Sequence, residues 1–426
     1  MRIEFGFGKG TQVAEVPDEN LMAILTANDI PSGLIDEAEV RRALSEPIGT
    51  PKLRDIVNSG ERITIITSDI TRPCPSQRIL PAVLDELYEA GCRPENITLV
   101  FALGSHRPHT EQERRQLAGE RAWREIRCVD SNREDCVQFG TTERGTPVNI
   151  TRVVAEADRR ICLGNIEYHY FAGYSGGAKA IMPGCSTQEA IQCNHSLMVD
   201  EAACTGNLDD NPLRQDLERA TAMVGVDFIV NVVLDEHKHI VRAVAGDWIQ
   251  AHRAGCAFLD RMYRKEIDKR ADIVIVSQGG APKDLNLYQT QKALDNAKHA
   301  VKPGGTIILI GSCWEGLGQK VFEEWMLFAP TPESMIERIG KQFQLGGHKA
   351  AAIAMVMQKA EIILVSDLED DLVERIFMKP AHSVQAALDE SLRKHGPKAT
   401  VLAMPYGGST LPWIRKGELP QESWSV

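Results

Sequence analysis

A chain of 426 residues, 43% apolar and 25% charged, has the make-up of a globular protein long enough for two or three domains. Its formal net charge of −11 excludes the broad basic face that nucleic acid or an anionic membrane needs, so cations that handle an anionic ligand must be placed locally. Ten cysteines contain no Cys-x-x-Cys pair, which removes zinc-ribbon and thioredoxin readings and suggests free thiols in a reducing compartment. No leader-like segment stands at Met1 and no apolar run is long enough for a bilayer, so a cytoplasmic location is expected.

Strands and helices alternate along the chain, the pattern of an α/β protein. Residues 1–16 read as a hairpin around Gly8-Lys9-Gly10, followed by a helical segment over about 35–57. The β-branched run 62–67 reads as a buried parallel strand that empties into Ser68-Asp69-Ile70-Thr71-Arg72-Pro73, before a helix from about Ser76 to Ala90. The next unit has a strand over 96–103, the loop Gly104-Ser105-His106-Arg107-Pro108-His109, and the capping box Thr110-x-x-Glu113 opening a helix. A strand over 160–163 then leads into a glycine-rich loop, and a second capping box, Ser186-x-x-Glu189, places Cys193 and His195 on a helix beginning near Thr187. Residues 228–244 read as a hairpin around Asp235-Glu236-His237-Lys238, and a long helix over 248–267 has Asp247 as its N-cap.

From Ala271 the alternation restarts: a strand over 273–277, the loop Gly279-Gly280, a helix over 289–300, strands over 306–310 and 361–365, a helix over 383–394 and a strand over 399–404. A boundary near residue 268 divides the chain into an N-terminal catalytic domain, 1–268, and a C-terminal domain, 269–426. The two are alike in plan but share no sequence repeat.

The stretch from Glu167 to Gly184 carries the most chemistry. It sets His169, the aromatics Tyr168, Tyr170, Phe171 and Tyr174, the pair Gly176-Gly177 and Lys179 close together, closed by Pro183-Gly184. Glycines allow close backbone approach and positive φ. A lysine after such a loop binds an anion or, once desolvated, acts as a nucleophile. It is not a phosphate-binding P-loop, since no Ser or Thr follows Lys179. In open α/β sheets ligands bind beyond the carboxyl ends of strands. Those ends here carry Asp69 and Arg72, His106 and His109, His169 and Lys179, and Gln289 and Lys292. Taken singly, Asp69 is an Asx-turn residue, His106 and His109 are structural or solvated loop residues and Gly176-Gly177 is a plain turn. Four loops offering titratable groups at once read as a site.

Asp69-x-Thr71-Arg72-Pro73, Gly104-x-His106-Arg107, the stretch from His169 to Gly184, His195 and Tyr288-Gln289-x-x-Lys292, in that order, together resemble the nickel-dependent lactate racemase family. The similarity runs from about residue 5 over nearly the whole chain, and Gly173-Tyr174-Ser175-Gly176-Gly177-x-Lys179 is its most specific part. The resemblance implies two α/β, Rossmann-like domains with the active site in the interdomain cleft. It implies a nickel-pincer nucleotide, a pyridinium mononucleotide whose two thio-acid arms grip nickel, supplied by separate cofactor-synthesis enzymes. Lys179 would hold one arm as a thioamide, with Gly176 and Gly177 beside the cofactor and its phosphate. His195 would ligate nickel, and His106 and His169 would be the general acid/base pair. Arg72, Gln289 and Lys292 would bind the substrate carboxylate with Tyr288 beside them; Asp69 would orient the cofactor or a catalytic partner, and Phe171 would pack against cofactor or substrate. The implied activity inverts C2 of a 2-hydroxy acid by reversible hydride transfer. The second aromatic that packs over the cofactor in lactate-specific members has no evident counterpart; the segment 346–357 offers Gly347-His348-Lys349 and then mostly small residues, a smaller wall that would enlarge the pocket, so the implied substrate is lactate or a larger analogue. Two other readings stay open: a cofactor-free racemase using His106 and His169 as bases, and a non-catalytic nickel or nucleotide carrier built on Cys193, His195 and the glycine loop. The oligomeric state is left open.

Overall fold

The computed structural model describes residues 1–26, 28, 33–235 and 237–414. The chain forms two compact units, one of residues 30–261 and one of residues 1–29 with 262–426.

The unit of residues 30–261 is built on a six-stranded sheet in the spatial order Ile240–Gly246, Phe228–Leu234, Arg159–Asn165, Ile63–Ser68, Ile97–Ala102, Arg127–Asp130. All neighbours are parallel except the first two, which form the expected hairpin; residue 236 of its turn lies outside the described residues. Ile63, Thr64, Ile65, Ile66 and Thr67 are all buried, as a strand covered on both faces demands. The Ser76–Glu89 helix buries Ile79, Leu80, Val83, Leu84 and Leu87 in the core that covers one of those faces. From Ile63–Ser68 the chain works outward through Ile97–Ala102 to Arg127–Asp130, then returns to the other side with Arg159–Asn165. That reversal makes a topological switch point between Ile63–Ser68 and Arg159–Asn165, where loops part and leave room for a ligand. Residues 69–73 and 166–184 leave the sheet there.

The second unit has six parallel strands in the order Lys379–Ala381, Ala360–Val365, Val301–Ile310, Ala271–Ser277, Val401–Met404, Leu21–Ile24. The opening hairpin, Arg2–Phe7 with Gly10–Glu15, forms as expected, and its Ile3, Phe5 and Ala14 enter this unit's core beside Ile273, Ile308 and Val401. The first 29 residues, assigned from sequence to a 1–268 domain, therefore fold with the C-terminal unit. The apolar face of the hairpin packs into that core and Leu21–Ile24 pairs with the edge of Val401–Met404, which a linear cut of the chain cannot register.

Other departures have local causes. The helix expected over 35–57 is two pieces, Asp36–Ser45 and Leu53–Ile56, because Pro47, Gly49 and Pro51 interrupt it. The helix expected over 248–267 runs Gln250–Tyr263, its first turn held by Asp247, whose carboxylate accepts the Ile249 and Gln250 N–H groups. Arg264–Ile267 leaves it to pair with Leu411–Ile414. Among the described residues no helix is long and apolar enough to cross a membrane.

Candidate active site

At the end of the Ile63–Ser68 strand the buried Asp69 carboxylate receives the Nδ1–H of His106 at 2.7 Å, and Thr71 Oγ1 lies 3.0 Å from each of its oxygens. Burial alone would raise the Asp69 pKa, but the bond and charge of His106, then Thr71 and Arg72, outweigh it and hold the carboxyl below its ordinary range. Donation from Nδ1 fixes the neutral His106 tautomer, so its Nε2 presents a lone pair. Arg72 is exposed, and among the described residues its guanidinium has no ion pair. His109, which sequence alone left as a structural or a solvated residue, is buried and bonded through both ring nitrogens, to Asp130 Oδ1 at 2.7 Å and to the Ile70 N–H at 3.0 Å. The capping box Thr110-x-x-Glu113 opens the Glu111–Glu125 helix as expected, and Glu113 also pairs with Arg107 at 2.6 Å.

After Arg159–Asn165 the chain makes a short hairpin, Tyr168–His169 with Gly173–Tyr174, and then a single 3-10 turn, Gly177–Ala180, that carries Lys179. Three side chains from later elements pin this loop. Asn231 Oδ1 accepts the Gly177 N–H at 2.7 Å, Arg214 Nη2 donates to Tyr174 O at 3.0 Å, and His252 Nε2–H donates to Ser175 O at 2.8 Å. Gly176 and Gly177 have φ of 77° and 56°, and a Cβ on them would sit 2.7 Å from Asn231 Oδ1 and 2.8 Å from His252 Cδ2. Glycine is thus required by close packing within the protein, and the Gly177 N–H, taken by Asn231, is not on offer to a cofactor phosphate.

Phe171 is the hub of the constellation. His169 and His195 meet its ring edge-on, with centroids at 4.4 Å and 4.9 Å, and Lys179 Nζ lies 5.7 Å from it. Among the described residues the Lys179 amine has neither hydrogen bond nor ion pair. Burial, then the charges of Arg72 and Arg214, press its pKa well below the usual lysine range, against Glu167. His169 is likewise held well below its ordinary value, first by burial and then by Lys179, Arg72, His195 and Arg214. Its Nδ1 accepts the Ala172 N–H at 3.3 Å, so the neutral ring carries its proton on Nε2.

His195 rides the Gln188–Ser196 helix, whose N-cap is Thr187 rather than Ser186; Ser186 Oγ is turned instead to Ile181 O. His195 Nδ1 bonds to Asn194 Oδ1 at 3.0 Å, and the Asn194 amide is held by Leu213 O and Asp216. With a proton on Nδ1, the lone pair is on Nε2. Cys193 is half-buried on the same helix. No group of three or more His, Cys, Asp or Glu side chains placed to hold a metal occurs among the described residues. The unpaired Lys179 amine beside the same aromatic ring fits an organic group that would bring further donors to a metal on His195.

In the second unit, Asn286 caps the Leu287–Ala297 helix through the Gln289 N–H at 3.1 Å. The helix buries Leu287, Thr290, Gln291 and Leu294 and leaves Tyr288, Gln289 and Lys292 on its accessible side. Tyr288 packs edge-on against Phe322, and the buried Lys349 donates to its carbonyl at 2.5 Å with Nζ 3.9 Å from its ring.

Sequence reasoning missed Asp130, Arg214, Asn231 and His252. Two left a signal: Asn231 interrupts the otherwise apolar strand Phe228–Leu234, and Arg214 lies on the buried stripe of the Pro212–Val224 helix.

The fold and this site define a two-unit α/β protein with a histidine–carboxylate pair and a desolvated lysine at the switch point of one sheet. Residues 7–206 match the family model of the lactate racemase N-terminal domain, and residues 267–411 match that of the lactate racemase C-terminal domain. The lactate racemase of Thermoanaerobacterium thermosaccharolyticum is 35% identical over 414 residues, covering 94% of this chain and 97% of the relative. That of Lactiplantibacillus plantarum is 33% identical over 419 residues, covering 95% and 98%. The solved lactate racemase apoprotein from T. thermosaccharolyticum superposes with a TM-score of 0.86 at 33% identity, covering 98% of this chain and 100% of that one. A Thermotoga maritima protein of 18% identity shares the fold, with a TM-score of 0.62. The chain belongs to the lactate racemase family, a family of isomerases.

Proposed function

We propose that this chain inverts C2 of a 2-hydroxy acid, lactate or a larger analogue, using a nickel-pincer nucleotide tethered to Lys179. The observation that supports this reading is the gathering of an unpaired amine, His195 and His169 around the Phe171 ring. A covalently anchored aromatic metal complex needs a neutral amine to attach it, one imidazole for the metal and an apolar ring to pack against. Lys179 would form the thioamide and give up its charge. His195 would offer Nε2 to nickel, its orientation set by Asn194, and imidazole suits that metal. When bound, the cofactor would supply an acceptor for the C2 hydrogen as hydride, which avoids forming a dianion next to the carboxylate.

The side chains do the remaining work. His106, its Nδ1 proton held by Asp69, would take the hydroxyl proton at Nε2. His169 would donate its Nε2–H to the substrate oxygen, and it can accept a proton there only by releasing the Ala172 N–H. The pair is therefore unequal at rest: His106 is the base and His169 the donor. Arg72 would meet the carboxylate through two parallel bonds.

The test is turnover in deuterated water by enzyme matured alongside the cofactor-synthesis proteins. Single-enantiomer 2-hydroxy acids of increasing size are followed by chiral chromatography and mass spectrometry. Inversion without solvent deuterium at C2 is expected. Deuterium at C2 would instead favour a cofactor-free pair of bases, His106 and His169. Intact mass of the same protein should show an adduct that Lys179→Ala lacks.

A further inference from the structure

Two histidines share the loop after Ile97–Ala102, and only His106 has a part in the proposed reaction. Resting on that reading, we infer that His109 is a positioning residue: with Asp130 it holds the Asp69–Thr71 turn in place and, through Asp69, keeps His106 as the Nδ1–H tautomer. The protonation of His109 is dictated by its partners. A backbone N–H can only donate, so the Ile70 N–H at 3.0 Å requires a lone pair on His109 Nε2. The ring proton must then be on Nδ1, where it meets Asp130 Oδ1 at 2.7 Å. The other Asp130 oxygen accepts the His109 backbone N–H at 2.9 Å, so one carboxylate fixes both the ring and the chain that carries it. Phe101 stands edge-on to the ring at 5.6 Å, and the side chain is only 1% exposed. Neither nitrogen is left for a substrate.

The geometry makes one carboxylate–imidazole pair the support of another. Asp130 ends the outermost strand of the sheet, Arg127–Asp130, and Asp69 comes directly after the strand two places inward, Ile63–Ser68. His109 spans that gap and grips Ile70, the residue between Asp69 and Thr71. Those two flanking side chains are the ones that converge on His106 Nδ1, at 2.7 Å and 3.3 Å. Without an acceptor for the Ile70 N–H the turn can rotate, and Asp69 loses its aim. Neutral imidazole in water prefers the Nε2–H form, so a His106 that loses Asp69 loses the lone pair at the atom that would act as base.

The experiment uses the full-length chain with 15N-labelled histidine, whose ring nitrogen shifts report the tautomer, together with turnover by matured enzyme. In the parent protein His106 and His109 should both read as Nδ1–H. In His109→Phe, which keeps the aromatic packing but cannot accept the Ile70 N–H, His106 should shift toward the Nε2–H form. Its kcat should fall on the order of 10²-fold with KM little changed, the scale of a small misplacement of a reacting group. His109→Gln, whose Oε1 can accept the Ile70 N–H, should restore most of both. An unchanged His106 tautomer in His109→Phe overturns the inference, whatever happens to kcat. A lost tautomer with kcat intact upholds the positioning role and instead removes His106 from the proposed reaction. Should His109→Phe fail to fold, Asp130→Ala carries the same test: it frees His109 Nδ1, and an undisturbed His106 tautomer there overturns the inference equally.

Discussion

Replacing Lys179 with methionine keeps an unbranched side chain, one atom shorter, and discards its charge. In the folded chain burial, Arg72 and Arg214 press the amine toward its neutral form, and only Glu167 resists. In the unfolded chain the same amine is protonated below about pH 10.4. Between the folded and unfolded pKa values the unfolded state binds more protons, so native stability rises with pH across that window and falls as pH drops through it. Near neutral pH the lysine is thus a standing cost to the fold of about 1.4 kcal/mol per unit of depression. Each kcal/mol corresponds to roughly 2–4 °C in Tm for a domain of 150–250 residues. Cofactor-free Lys179→Met should therefore melt several degrees above the parent near pH 7, and the gap should close as pH approaches about 10. Melting curves of the two proteins across that range, in the absence of cofactor, make the measurement. A methionine variant that melts lower near pH 7, or a gap that ignores pH, would show that the amine is charged and well accommodated, and therefore no nucleophile at rest.

The other predictions concern its neighbours. Asp69→Ala removes the acceptor that orders His106, and kcat should drop by about 10²–10⁴-fold, the usual worth of a positioned base. The same variant should lose less stability in acid, since the parent's Asp69 stabilises the fold above about pH 3.9 and ceases to as pH falls through its lower folded pKa; urea denaturation near pH 3 and pH 6 separates the two. Gly177→Ala places a Cβ 2.8 Å from the His252 ring at a φ of 56°, so it should cost roughly 1–3 kcal/mol in urea denaturation and hinder cofactor attachment by intact mass. His169 resists protonation when folded, whereas its unfolded form binds a proton below about pH 6.5, so the parent should lose stability below that pH and His169→Phe should lose less.

The sheets were legible because their strands are unbroken β-branched runs such as 63–67 and 273–276, which need no partner to be recognised. The loops that carry Asp69, His106, His169 and Lys179 were legible for a related reason: each comes after a strand and holds titratable residues where a loop could be bland. What stayed hidden depends on pairing over distance. Nothing near Arg264 announces that the helix must stop there, because the cause is Leu411–Ile414. Arg214, Asn231 and His252 act on backbone atoms of the lysine loop, and their purpose exists only once three separate elements have packed against it. His106 and His109 looked interchangeable in sequence, and only their hydrogen bonds tell them apart.

Leu21–Ile24 pairs with Val401–Met404, so the unit of residues 30–261 is inserted within the other and joined to it by two crossings of the chain. During synthesis the inserted body can fold as soon as it leaves the ribosome, while the opening hairpin and Leu21–Ile24 wait with their apolar faces uncovered. A nascent chain arrested after the inserted body has emerged but before residue 401 has would hold a finished lysine loop and an orphaned leading strand. Such an intermediate calls for a chaperone at its front end rather than at its back.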